Sequence, residues 1–101
     1  MDLYFTKPEE VVTLLSERLR KQRLFQELSQ AEVAARAGVG VNTVSNLEAG
    51  RNVSVENLVR IAMVLGRLNE LQELFQPQLN SVNDILRYES QSKRQRIKRK
   101  G

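Results

Sequence analysis

The segment from Gln30 to Gly50, QAEVAARAGVGVNTVSNLEAG, constrains this chain more than any other. Ala34 precedes Gly38 by four residues, Val39 follows the glycine, and Val44 and Leu47 come next at helical spacing. Two short helices joined by a tight turn satisfy that order. They cross closely only if Ala34 stays small. The chain reverses sharply only if residue 38 takes φ > 0, which glycine does without a Cβ penalty. Val33, Ala37, Val39, Val44 and Leu47 then face one interior, and Asn42, Thr43, Ser45 and Asn46 are left on the outer face of the second helix.

The flanking segments supply further helices. Thr6-Lys7-Pro8-Glu9 is a helix start, with Thr6 as cap, Glu9 three residues on and Pro8 in the first turn. That helix is expected to reach about Gln26, with Val12, Leu15 and Leu19 as its buried stripe. Arg18, Arg20, Lys21 and Arg23 make its second half basic. Ser29 and Glu32 form a second capping box ahead of a helix over 30–37, and the next runs from Val41 to about Ala49 and stops at Gly50. Ser54 caps a fourth helix whose Leu58, Ile61, Ala62 and Leu65 fall at i, i+3, i+4 and i+7, and Gly66 ends it. A fifth, about Leu68–Phe75, carries Leu68, Leu71, Leu74 and Phe75 on adjoining faces and closes at Pro77. Ser81-Val82-Asn83-Asp84 caps a small sixth helix to about Glu89.

From Ser90 onward the sequence is polar and basic and is expected to be disordered unless bound. The apolar lead of Leu3, Tyr4 and Phe5 is expected to pack on the body or on a partner. No strand pattern and no internal repeat occurs, so the fold class is all-α. Residues 1–79 form one domain with its lead, 80–92 an extension and 93–101 a basic flexible tail.

Charge and composition narrow the chemistry. The net charge is +4, yet Lys93, Arg94, Arg96, Lys98, Arg99 and Lys100 supply six positive charges within the last nine residues. Residues 1–92 therefore hold ten basic and twelve acidic side chains, a net of −2, while residues 18–51 are locally +3. The chain is an acidic body with a basic zone around the turn and a basic end. With no cysteine and no histidine, disulfides, Cys/His metal sites and imidazole or thiolate catalysis are excluded. No cofactor is expected. Gly38-Val39-Gly40 is a GxG, but it follows a helix and lacks the strand and distant acid of a dinucleotide site. No apolar run approaches a membrane span and the first residues lack a signal-peptide layout, so a cytoplasmic protein is expected.

A short helix with an apolar back and a polar, uncharged front suits the major groove of DNA. The bland counterpart is a helical scaffold that binds only protein. For Leu68, Leu71, Leu74 and Phe75 the bland reading is the monomer core, against a dimer interface. For the basic end it is a solubilising tail, against added attraction for phosphates through Lys93, Arg94 and Arg96.

Taken together, Leu28-Ser29-Gln30, Ala34, Gly38-Val39, Thr43-Val44, Leu47-Glu48, Gly50-Arg51 and Leu58…Ile61-Ala62…Leu65-Gly66 resemble the phage-repressor (Cro/CI-like, XRE) family of helix-turn-helix domains over about residues 15–75. The resemblance implies five helices with the motif formed by the second and third. It implies that Gln30 binds a DNA phosphate beside a helix N-terminus, and that Val41, Asn42, Ser45 and Asn46 enter the major groove. Asparagine pairs bidentately with adenine and Val41 packs on a thymine methyl, while Thr43, Arg51 and Asn52 are better placed for phosphates. It also implies an internal ion pair between Arg23 and Glu48. Two departures stand out: Gly40 occupies a cap where the family usually has a hydroxyl, and Val41 replaces a commonly polar reading position.

The resulting expectation is a homodimeric transcriptional repressor on a near-palindromic operator, bacterial or phage-encoded. Its small size and C-terminal extension look like the autorepressing antitoxin of a Hip-type toxin–antitoxin module. The alternative is an interaction module that restrains a partner, such as a toxin kinase, with DNA binding secondary.

Overall fold

Six helices follow one another, with no strand among the described residues: α1 (Pro8–Phe25), α2 (Gln30–Ala37), α3 (Val41–Glu48), α4 (Val55–Val64), α5 (Leu68–Glu73) and α6 (Val82–Lys100). The computed structural model describes the backbone of residues 7–100 and the side chains of residues 7–93. Thr6 and the apolar lead of Leu3, Tyr4 and Phe5 lie outside the described residues.

Local chemistry sets the helix starts. α1 begins at Pro8 with Lys7 at the cap, not Thr6. Proline at the first helical position gives up no bond that the helix could have made. Glu10, rather than Glu9, then folds back, its carboxylate accepting from the Lys7 N–H at 3.3 Å. Ahead of α2, Ser29 Oγ accepts from the Glu32 N–H at 3.0 Å, and Glu32 accepts from the Ser29 N–H at 2.7 Å. Ser54 Oγ and Ser81 Oγ accept likewise from the N–H groups of Asn57 and Asp84.

The helix ends share one device. Past α1, α3 and α4, two successive N–H groups reach back to the last turn: Glu27 to Leu24 and Leu28 to Arg23, Gly50 to Leu47 and Arg51 to Asn46, Gly66 to Met63 and Arg67 to Ala62. This motif requires a left-handed residue. Glycine supplies it after α3 and α4, but after α1 it is Glu27, at φ 58°. Between α2 and α3 the same conformation falls on Gly38, at φ 72° and ψ 35°. A Cβ there would meet its nearest neighbour, Arg60 Nη1, at an ordinary 3.5 Å, so backbone angle rather than crowding demands the glycine.

Val33, Ala34, Ala37, Val44, Leu47, Ile61 and Leu65 form the core, with Leu19, Leu28, Val39, Val53, Leu58 and Val64 packed against it. α2 and α3 pack together, α4 backs both, α1 crosses α3, and α5 rests on α4. Fully burying each valine, leucine or isoleucine contributes roughly 1.5–3 kcal/mol, so the α2–α4 triangle carries most of the cohesion.

Three features differ from the sequence reading. Val12 and Leu15 are exposed, and α1 turns Ser16 and Arg23 inward, with Leu19 half-buried. Their periodicity marks a real apolar face, but that face borders an open groove shared with Leu58, Ala62, Leu71 and Leu74. α5 stops at Glu73; Leu74 is extended and Phe75 is left-handed at φ 58°. α6 continues past Glu89 to Lys100. Gln, Lys and Arg are good helix formers, no Gly or Pro interrupts 82–100, and cations at a helix C-terminus are favoured by the dipole.

Glu27 carries a Cβ where the α1 stop needs left-handed backbone, a cost of about 1–2 kcal/mol. Glycine relieves it but is more flexible when unfolded. Glu27→Gly is expected to raise stability by about 0.5–1 kcal/mol. A urea melt with an unchanged or lower midpoint would refute this.

Candidate nucleic-acid interface

α3 buries Val44 and Leu47 in the core. At about 100° per residue, Val41, Ser45, Asn42 and Asn46 follow one another around the opposite side in a strip about 140° wide. Val41 and Asn42 are exposed, Ser45 and Asn46 half-buried. Thr43 lies on the far flank of this strip and is also half-buried. Gly40 caps α3 with backbone alone, and Val44 N–H reaches its carbonyl at 3.4 Å.

The strip is held in place from behind by one ion pair. Arg23 Nε and Nη2 donate to the two Glu48 oxygens at 2.6 and 3.0 Å, a bidentate fork with side chains only 10% and 6% exposed. Arg23 Nη1 donates to the Leu28 carbonyl at 2.7 Å, and Gln30 Nε2 donates to Glu48 Oε1 at 2.9 Å. One cluster therefore joins the end of α1, the loop before α2, the first residue of α2 and the last residue of α3. Burial pushes the Glu48 carboxyl up, but hydrogen bonds from Arg23 and Gln30, then the charges of Arg23 and Arg20, hold it below the usual carboxylate range. The same bonds hold Arg23 above its ordinary value against the opposing effect of burial.

Gln30 thus sits where α2 begins, partly committed to Glu48. Arg51 and Asn52 are exposed in the loop after α3, and Arg51 Nη1 donates to Asn46 Oδ1 at 3.1 Å. The sequence reading did not foresee the Gln30–Glu48 bond, the Leu28 contact or the Asn46–Arg51 bond. Nor did it single out Arg20, which faces Glu48 electrostatically. Its only signal was a position one turn before Arg23. Ala34 is buried at the α2 crossing, and Gly38 makes the turn.

The residues considered for an interface between subunits differ among themselves. Leu71 is half-buried in the groove, Leu68 and Leu74 are partly exposed, and Phe75 is 95% exposed. Lys93 is exposed on α6; the side chains of Arg94 and Arg96 lie outside the described residues. Among the described residues, no group of acidic side chains is arranged to hold a metal ion, and no helix is long and apolar enough to cross a membrane.

The sequence model of a family described as helix-turn-helix matches residues 19–71, from Leu19 on α1 to Leu71 on α5, just over half of the chain.

Removing one partner of a buried ion pair strands the other. Glu48→Ala is expected to cost about 3–5 kcal/mol, and Arg23→Met with Glu48→Leu to recover much of it. Because Glu48 is depressed in the folded state, its contribution is complete above the ordinary carboxylate pKa. It is lost as pH falls from about 5 through the lower folded value. Chemical melts across that range should therefore show a steeper acid loss in the parent than in Glu48→Gln. Equal slopes would mean that the pair is not the source.

Proposed function

The chain belongs to the helix-turn-helix family of DNA-binding regulators, and from that premise we propose a homodimeric repressor that reads a near-palindromic operator. The observation that carries this reading is the α3 strip. Val41, Asn42, Ser45 and Asn46 point away from a helix whose other side is fixed by the core and by Glu48. Asn42 offers a free amide to adenine, and Val41 an apolar contact to a thymine methyl. Gln30, Thr43, Arg51 and Asn52 flank the strip as phosphate contacts that set its register without reading sequence.

A single short helix reads only a few base pairs, so affinity and selectivity require a second copy about one helical turn away. Leu68, Leu71, Leu74 and Phe75 supply the surface for it. A phenylalanine that is exposed and left-handed gains most from being covered. Val82 and Leu86 on α6 are exposed as well. The same surface favours a second reading, an interaction module that binds and restrains a partner such as a toxin kinase, with DNA binding secondary.

The parent is expected to protect two half-sites upstream of its own coding region in a footprint, and Asn42→Ala with Asn46→Ala to abolish the preference. A double variant as selective as the parent would refute the readout, and a single protected half-site would refute the dimer.

Electrostatics assigns the basic end a separate role. Lys93, Arg94, Arg96 and their neighbours counter a body of net −2. Removing residues 93–101 should weaken binding to all DNA and flatten the salt dependence, with base preference intact. An unchanged salt slope would show that these charges take no part.

A further inference from the structure

The two asparagines of the α3 strip are not equivalent. The Asn42 side chain makes no hydrogen bond among the described residues, so its amide turns freely to present oxygen and nitrogen together. Asn46 is held: its Oδ1 accepts from Arg51 Nη1 at 3.1 Å. Which end of an asparagine amide is oxygen is ordinarily an assignment, but here chemistry decides it. A guanidinium has donors only, so the atom facing Arg51 is the oxygen. The Nδ2 end is left without a partner, directed away from Arg51.

The contact is built into the turn. Asn46 and Arg51 are also joined through their backbones, the Arg51 N–H donating to the Asn46 carbonyl at 2.9 Å. That bond belongs to the helix stop formed around Gly50, at φ 78°. It brings the start of the Arg51 side chain back over the last turn of α3, beside Asn46. Glu48, the carboxylate nearest in sequence, is fully engaged by Arg23 and Gln30 and does not draw Arg51 away.

We propose that Arg51 is a specificity-determining positioning residue, which pins the Asn46 amide so that it meets the base edge as a hydrogen-bond donor alone. This rests on the operator reading given above and refines it. Guanine presents two neighbouring acceptors in the major groove, N7 and O6, whereas adenine sets one acceptor, N7, beside an N6 donor that only the asparagine oxygen can meet. Asn46 then selects guanine, and Asn42 remains the residue suited to adenine. The same Arg51 lies beside the DNA backbone, so its charge contributes affinity while its hydrogen bond sets preference.

The test is selection of bound sites from a randomised duplex pool by the full chain, by Asn46→Ala and by Arg51→Ala. Asn46→Ala identifies the base pair that residue 46 reads, as the position where preference collapses. At that pair the parent should prefer G·C over A·T by roughly tenfold. Arg51→Ala should admit adenine there while leaving preference elsewhere in the site unchanged. Adenine preferred by the parent at that pair overturns the proposal. So does an Arg51→Ala variant that binds every site more weakly by one common factor, the behaviour of a phosphate contact alone. A parent that selects no sequence overturns the operator reading, and this inference with it.

Discussion

The bidentate pair between Arg23 and Glu48 is the constraint on which the rest of the interface depends. It is a costly choice as a source of stability, since desolvating two charges cancels much of their attraction. What it adds is direction. A hydrophobic contact between α1 and α3 would permit sliding and rotation, whereas a planar guanidinium meeting both oxygens of one carboxylate fixes distance and angle together. The remaining bonds extend this to the backbone: Arg23 also holds the Leu28 carbonyl, and Glu48 also holds Gln30. The first residue of α2 and the last residue of α3 are thereby referred to the same point on α1. A helix of only eight residues could not hold its own orientation; this one is oriented by its neighbours.

Features whose determinants lie within a few residues were legible in the sequence. The Ser29–Glu32 box, the left-handed turn at Gly38, the Ser54 cap and the stops at Gly50 and Gly66 are each specified by side chains three to five positions apart. The α4 face was also legible, because Leu58, Ile61, Ala62 and Leu65 recur at i, i+3, i+4 and i+7 on one side of the helix. The inward face of α1 was legible only at Leu19, which packs against the core. Periodicity identifies Val12, Leu15 and Leu19 as a stripe, but which stripe faces inward depends on what waits 25 residues away, at Glu48. A buried arginine leaves no apolar signature. α6 was underestimated for a related reason. A polar, cationic segment reads as unstructured by composition, yet it contains no residue that stops a helix.

At the reading surface, the strip on α3 follows from helix geometry, since Val44 and Leu47 leave only one side free. The state of each amide does not. Asn46 and Arg51 are brought together by the turn between them, so their bond depends on backbone conformation rather than on any pattern of residue types. Two identical side chains one turn apart thus acquire different hydrogen-bonding capacities. In the proposed readout, base preference is set partly by the loop that ends α3.

In the proposed dimer, α1 has a further consequence. Two recognition helices must lie about one turn of DNA apart, so the angle between α3 and the subunit interface has to be stiff. No direct bond links α3 to α5. Beside the packing through α4, a polar connection runs through the end of α1: Arg23 holds Glu48, the cap residue Gln26 donates to the Leu65 carbonyl at 2.9 Å, and Gln22 accepts from Arg67 at 3.1 Å. These contacts, on residues 22 and 23 of α1 and on its cap residue 26, reach the start of α5, the end of α3 and the end of α4 respectively. A rotation of α5 would strain the Gln22 and Gln26 bonds before it reached Asn42 or Asn46. In that dimer the short stretch from Gln22 to Gln26 would be the strut that converts a subunit contact into half-site spacing.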